Sequence, residues 1–249
     1  MKRATLQLRI AALLGVACAI STAALFPYLL ALKPGLLATS AFSPGIAVAA
    51  ATLQGGVICF LLAWIGLKLG VPLGLGAPWL AAWLYDRPRP IAADWLLAAL
   101  LGALTSVAIL ALMAVFGATP DLAQPHLPAA WKGLLASFYG ATTEEVSLRV
   151  FLMGSLAWML ARAAGGTASP WLMITTIVMV AVLFGAGHLP IAAQLGTLTV
   201  GVVARVIIYN ALLGVAFGWL YWRRGLEHAM LAHFCADIVL HVVAPALTR

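Results

Sequence analysis

Charged residues are scarce in this chain. Only 8% of its 249 residues are Asp, Glu, Lys or Arg, whereas 64% are hydrophobic, and the mean hydropathy is +1.08. Soluble globular domains carry a charge on about a quarter of their residues. The scarcity therefore excludes a soluble globular domain and predicts an all-α, polytopic bundle of transmembrane helices.

Cysteines and basic patches are also few. The three cysteines, Cys18, Cys59 and Cys235, stand singly in apolar runs, which excludes a disulfide or zinc framework built on them. The net charge of +7 comes from Lys and Arg at the ends of apolar segments, with no basic face of interleaved aromatic residues. This pattern excludes nucleic acid as a partner and favours contact with an anionic lipid bilayer.

Three familiar hydrolase motifs are absent from the sequence. It contains no His-Glu-x-x-His, no Gly-x-Ser-x-Gly and no Gly-x-Gly-Asp. The usual zinc-protease helix, the serine nucleophile elbow and the aspartyl intramembrane motif are thereby excluded.

Apolar runs long enough to cross a bilayer set the predicted architecture. A helix needs about 20 residues to span the hydrocarbon core. About seven spans are predicted, within a range of six to eight, near residues 10–32, 46–67, 95–116, 131–162, 170–188, 198–222 and 226–243. The first run follows basic residues as a signal peptide would, but its length favours a span. The apolar piece 78–85 is too short to cross, so we expect an interfacial or re-entrant segment.

The basic residues predict the orientation of these spans. If the N-terminus is cytoplasmic and there are seven spans, eight basic residues lie on the cytoplasmic side: Arg3, Arg9, Lys68, Arg87, Arg89, Arg162, Arg223 and Arg224. Excess Lys and Arg mark the cytoplasmic side of a membrane protein. We therefore expect a multi-pass protein of a bacterial inner (cytoplasmic) membrane, with the C-terminus outside.

The fourth span contains an unusual group of charges. Glu144, Glu145 and Arg149 lie in one stretch of six residues inside an apolar helix. Burying an ionisable group in a membrane costs free energy, so such groups are usually functional. Glu145 and Arg149 are four apart and can pair along one helix face. Glu144 lies about 100° round an α-helix from Glu145, so it is the carboxylate left free for chemistry. The alternative is that all three pack against polar groups between helices.

Histidines occur in two later spans, at the end of the fifth and within the seventh. His188 follows Phe184-Gly185-Ala186-Gly187 and precedes Pro190, and irregular backbone at membrane depth is tolerated mainly where it lines a cavity. An interface histidine is the alternative. In the seventh span, His233, Asp237 and His241 share one helix face, which suits metal ligation, an oxyanion donor or a buried hydrogen-bond ladder.

Together these motifs resemble a known family. Glu144-Glu145-x-x-x-Arg149, Phe184-x-x-x-His188 and His233-x-x-x-Asp237 are similar to the motif set of the CAAX-protease and bacteriocin-processing (CPBP) intramembrane endopeptidases, relatives of the type II CAAX prenyl protease. The resemblance covers about residues 131–243. It divides the chain into N-terminal transmembrane helices without a diagnostic motif, 1–130, and a catalytic transmembrane core, 131–249.

The resemblance implies an activity and a set of residue roles. The expected function is an intramembrane endopeptidase that hydrolyses peptide bonds of membrane-associated or lipidated proteins or peptides. Glu144 and His188 would activate a water, with His233 and Asp237 across the site. Supporting roles fall to Glu145, Arg149 and Asn210. Related prenyl proteases open to the cytosol.

Two features leave alternatives open. Asp237 stands where prenyl proteases usually carry Asn, and an ionised Asp cannot donate a hydrogen bond to an oxyanion, so a prenylated substrate is in doubt. Two histidines and a carboxylate, His188, His233 and Glu144, could hold a catalytic zinc. A metal-free glutamate mechanism uses the same residues, and the two stay equally open.

Two other functions are consistent with the charges. A small transporter or proton relay could use Glu144, Arg149, Arg205 and His233, although the internal repeat common in transporters is not evident. A non-catalytic immunity member of the same family would retain the motifs. The sequence does not indicate an oligomeric state.

Overall fold

The computed structural model describes residues 3–38, 40–85, 94–120, 122–123 and 127–247. Every regular element in these ranges is helical. The α-helices are α1 (Arg3–Leu32), α2 (Pro44–Gly70), α3 (Pro78–Tyr85), α4 (Trp95–Phe116), α5 (Ala130–Tyr139), α6 (Gly154–Ala163), α7 (Pro170–Gly187), α8 (Leu189–Leu195), α9 (Val200–Arg224), α10 (Leu226–Asp237) and α11 (Ala244–Leu247). A 3-10 turn, Val71–Leu73, follows α2, and π-helical segments occupy Gly140–Glu144, Val146–Met153 and Ile238–Val243.

Seven continuous helical stretches are long and apolar enough to cross a membrane, which confirms the predicted fold class. We number them spans 1 to 7: Thr5–Leu32, Pro44–Leu73, Trp95–Phe116, Ala130–Ala163, Pro170–Leu195, Val200–Arg224 and Leu226–Leu247. The protein is therefore an integral, multi-pass membrane protein.

The fifth span is longer than predicted. Sequence reasoning ended it at His188, but α8 continues the helical path to Leu195 after a break at His188. Pro190 is tolerated because it stands in the first turn of α8, where its missing N–H has no helical acceptor to lose. His188 therefore lies within the span rather than at its end.

Glycines allow the helices to approach closely. A Cβ at Gly66 would collide with the backbone of Val150, and one at Gly102 with the backbone of Ala232. Large apolar side chains instead point outward, among them Leu104, Trp171 and Val200. Small residues inside and bulky ones outside are typical of bundles whose helices pack in lipid.

Spans that follow one another in the sequence run in opposite directions. Gly15 packs against Phe60, and Gly55 against Thr22, so spans 1 and 2 are antiparallel. In contrast, Gly102 and Ser106 of α4 contact Ala232 and Ala236 of α10 in the same order, so spans 3 and 7 are parallel.

This alternation gives the bundle two ends. The end that contains Lys68, Arg162, Arg223 and Arg224 is called the basic end. The opposite end, which contains Lys33 and Lys132, is called the distal end. Arg3 and Arg9, in the first turns of α1, belong to the basic end as well. The remaining predicted basic-side residues, Arg87 and Arg89, lie outside the described residues, as do Asp121 and His126 of a predicted loop.

The apolar piece 78–85, which was expected to be too short to cross, forms a helix of eight residues, α3. The backbone N–H of Leu80 donates to Oε1 of Glu227 at 2.8 Å, and the carboxylate thereby caps the first turn of α3. Glu227 begins span 7, so this contact fixes α3 against the basic end of the bundle.

Candidate active site

The charged segment of span 4 is not a regular α-helix. Residues Gly140–Glu144 and Val146–Met153 wind as π-helix, so the sequence-based assumption of an α-helix here was wrong. Hydroxyl groups offer a local reason: Thr142 donates to the carbonyl of Phe138 at 2.6 Å, and Ser147 to that of Thr143 at 2.8 Å. Such bonds compete with the regular backbone ladder, and π-turns occur frequently at functional sites.

Glu145 and Arg149 form the ion pair that their spacing suggested. Oε2 of Glu145 lies 3.2 Å from Nε of Arg149, and both side chains are fully buried. The guanidinium is also 5.7 Å and 6.0 Å from the ring centroids of Phe184 and Phe217, distances at which aromatic faces attract a cation.

His233 is held by the same carboxylate. Its Nδ1 lies 2.9 Å from Oε1 of Glu145, and its ring stacks on Phe217 with centroids 4.5 Å apart. Because the paired carboxylate of Glu145 accepts here, Nδ1 carries the proton and donates. The ring is thus fixed, with Nε2 turned away from Glu145.

Nε2 of His233 faces two further carboxylates. Oε2 of Glu144 and Oδ1 of Asp237 each lie 3.7 Å from it. These distances exceed direct hydrogen bonds, so a small group can approach all three side chains. The side chain of Glu144 is 26% exposed, against 3% for His233, which makes Glu144 the most accessible group of the three.

A glycine makes room for this arrangement. A Cβ at Gly140 would collide with Oδ2 of Asp237 and would lie 2.8 Å from Nε2 of His233. Gly140 stands one helical turn before Glu144 on the same helix. Sequence reasoning missed Gly140, since a glycine in an apolar helix predicts close packing but does not identify the neighbour.

His188 reaches the same space from the break between α7 and α8. Its Nδ1 lies 2.9 Å from the carbonyl oxygen of Phe184. A carbonyl only accepts, so Nδ1 carries the proton and Nε2 keeps its lone pair. The ring also packs edge-on against Phe184, with centroids 4.8 Å apart.

A cavity of about 390 Å³ joins these groups. Of the residues singled out from the sequence, Glu144, His188, Asn210, His233, Asp237 and His241 line it, whereas Glu145 and Arg149 lie behind its wall. Asn210 donates to the carbonyl of Val206 at 2.8 Å. Tyr209, which precedes Asn210, lines the cavity too, as do Tyr28 and Tyr139. No motif in the sequence pointed to Tyr28 or Tyr139.

The cavity also contains a second polar contact. The hydroxyl of Tyr28 lies 3.1 Å from Nδ1 of His241, which joins the end of span 1 to the π-helical part of span 7. His241 therefore belongs to the cavity wall on the distal side of Asp237.

The candidate metal ligands are the carboxylates and histidines that line this cavity. Among the residues that the structure describes, no three His, Cys, Asp or Glu side chains are close enough to share a metal ion. His188, His233 and Glu144 line the same cavity, and the proposed mechanism uses them without a metal.

A comparison with known protein families gives a match within the second half of the chain. The family model described as "Type II CAAX prenyl endopeptidase Rce1-like" matches residues 126–239. This range includes Glu144, Glu145, Arg149, His188, His233 and Asp237. No curated protein and no solved structure matches the chain.

Proposed function

Because residues 126–239 make this chain a member of the Rce1-like family of type II CAAX prenyl endopeptidases, we propose that it is an intramembrane endopeptidase with Glu144 as its general base. The family is a protease family of the membrane. The proposed substrates are membrane-associated or lipidated proteins or peptides. The observation that carries the proposal is the position of Nε2 of His233, 3.7 Å from both Glu144 and Asp237 at the wall of one cavity.

The first step is the activation of a water by Glu144. This carboxylate is partly exposed to the cavity, and a carboxylate close to a bound water is a competent base. His188 supports this step, since its Nδ1 donates to the Phe184 carbonyl and leaves Nε2 as an acceptor towards the cavity. Glu144 takes the water proton, and the hydroxide oxygen bonds to the carbonyl carbon of the substrate.

The second step needs stabilisation of the tetrahedral oxyanion. His233 in its doubly protonated form donates from Nε2, while Nδ1 donates to Glu145. A donor fixed before the reaction is worth more than one that must reorganise, and the stack on Phe217 fixes this ring. Oδ1 of Asp237 lies 3.7 Å from the same nitrogen, so its carboxyl group can help to orient and stabilise the ring.

The last step breaks the peptide bond. The protonated Glu144 returns its proton to the amine nitrogen, the carbon–nitrogen bond breaks, and the oxyanion collapses to a carboxylic acid. Water supplies one oxygen to the acid and two hydrogens, one to each product. Glu144 ends in its starting form, so the cycle closes without any further reactant.

Glu144→Gln tests this function. Gln keeps the shape of Glu but cannot take a proton, so peptide cleavage by the purified protein should fall by about 10²- to 10⁴-fold. His188→Ala should lose most of the activity as well. Both variants should unfold at the temperature of the parent.

Asp94→Asn is the matched control for this test. Asp94 pairs with Arg224 at the basic end, so the same change of carboxylate to amide should leave cleavage intact. Cleavage by Glu144→Gln at more than a few per cent of the parent rate would remove Glu144 from the mechanism. The readout must be peptide-bond cleavage, because a proton relay would also lose flux with this variant.

A further inference from the structure

The cavity lies in the distal half of the bundle. Its lining comes mainly from the distal halves of the spans. Leu25, Tyr28, Leu29 and Leu32 end span 1, Ile109 and Met113 end span 3, Ile191 and Ala192 end span 5, and Leu240 and His241 lie late in span 7. Ala136, Tyr139 and Gly140 lie in the distal half of span 4, and Thr119 and Leu122 lie in the loop at the distal end.

The other half of the bundle is closed by packed side chains. Phe217 lies against the ring of His233, and further towards the basic end follow the fully buried Leu220, Tyr221 and Leu226. Met153 of span 4 is buried at the same level. A peptide could therefore reach Glu144 from the distal end but not from the basic end without opening the core.

Charge distinguishes the two ends. The connections at the basic end are rich in Lys and Arg by sequence, whereas the distal ends of the described spans contribute three cations, Lys33, Lys132 and Arg205. Excess Lys and Arg in short connections is the strongest determinant of the cytoplasmic side. All connections here are short, so the rule applies to each, and it places the basic end in the cytoplasm.

We propose that the catalytic cavity is entered from the extracytoplasmic side of the membrane, and that the substrates are apolar segments of membrane-spanning or exported polypeptides on that side. The inference rests on the proposed function and specifies its substrate class. A prenylated cytosolic C-terminus would meet the closed, basic end of the bundle.

The cavity wall fits an apolar, extended peptide. Leu25, Leu29, Leu32 and Ile191 face the same space as the reacting groups. A volume of about 390 Å³ is at the small end of the usual range for binding pockets, about 300–1,000 Å³. Such a cavity accommodates a few residues of unfolded chain and excludes a folded domain, so the scissile bond must lie in an unstructured segment.

Thiol labelling tests the side of access without requiring catalysis. Leu32→Cys places a thiol at the distal mouth of the cavity, and Arg162→Cys, at an exposed residue of the basic end, is the matched control. A membrane-impermeant maleimide is added to cells with an intact inner membrane and to inverted vesicles. The parent chain gives the baseline, since Cys18 and Cys59 are buried and Cys235 is half-buried.

The two thiols should label from opposite sides. The Leu32→Cys protein should react in intact cells, and the Arg162→Cys protein only in inverted vesicles. The reverse pattern, or labelling of both from the cytoplasmic side, would overturn the proposal.

Mapping of cleavage products tests the substrate class. New peptide termini are compared in membranes from cells that produce the parent protein or Glu144→Gln. Termini found only with the parent should lie in apolar segments at the extracytoplasmic ends of spans or in exported chains. Termini at cytoplasmic ends would overturn the proposal. No new termini would contradict the proposed protease function instead, while the labelling result would still decide the side of access.

Discussion

Glu145 joins Arg149 to His233. One carboxylate oxygen lies 3.2 Å from the guanidinium and the other 2.9 Å from Nδ1 of the imidazole. The ion pair that we inferred to be structural therefore also orients a site residue on another helix. Asp237 lies at the opposite nitrogen of the imidazole, with Oδ1 3.7 Å from Nε2.

Arg149→Leu should mainly destabilise the protein. The change leaves the Glu145 carboxylate buried without its cation, and breaking a buried pair costs about 3–5 kcal/mol. Yield and melting temperature in detergent should both drop. Arg162→Leu, at an exposed residue in the last turn of α6, should be close to neutral. An Arg149→Leu protein that accumulates and melts normally but does not cleave would place Arg149 in the reaction instead.

Glu145→Gln should lower stability more than turnover. The amide oxygen can still accept from Nδ1 of His233, but Arg149 loses its counter-charge. The free energy of unfolding should fall by about 3 kcal/mol or more. Cleavage per folded molecule should fall by less than about tenfold, equivalent to about 1.4 kcal/mol on the barrier. A loss as large as that of Glu144→Gln in a normally stable protein would contradict this division of roles.

Gly140→Ala should block the site without unfolding the protein. The new methyl group would collide with Asp237 and crowd Nε2 of His233, so one of these side chains must move. Cleavage should become undetectable while the helical circular dichroism spectrum is retained. Gly187→Ala is the matched control, because Gly187 also lines the cavity but a Cβ there meets nothing within 4 Å. Equal activity of the two variants would show that the space beside Gly140 is unimportant.

Exhaustive chelation should leave cleavage intact. The prediction follows from the absence of a three-ligand group among the described residues, so a metal-free glutamate mechanism is expected. Activity is measured before and after dialysis against a strong chelator, with the metal content determined in parallel. Loss of activity that zinc restores would refute the prediction and make His188 and His233 the ligands to examine.

The spans were predictable because their signal is local. Each apolar run is long enough to cross a bilayer on its own, and the Glu145–Arg149 pair follows from a spacing of four within one helix. The end of span 5 was misjudged because the glycines and Pro190 predict a break but not whether a further helix, α8, continues along the same path.

Contacts between helices were not predictable from one sequence. Glu145 and His233 are 88 residues apart, and their bond depends on how spans 4 and 7 are rotated about their axes. The same is true of Tyr28 and His241, which are 213 apart. The π-helical winding of span 4 adds to the difficulty, because it shifts the direction of each side chain from the α-helical expectation.

Span 7 carries half of the site on a backbone that is held on two sides. Gly102 of span 3 lies against the backbone at Ala232, and Gly133 of span 4 against the backbone at His241, so no side chain separates these helices on either side of His233 and Asp237. The position of these reactive groups relative to Glu144 therefore depends on two glycines, Gly102 and Gly133, that take no part in the reaction. A methyl group added at Gly102 or Gly133 would act as a wedge that alters catalysis from outside the cavity.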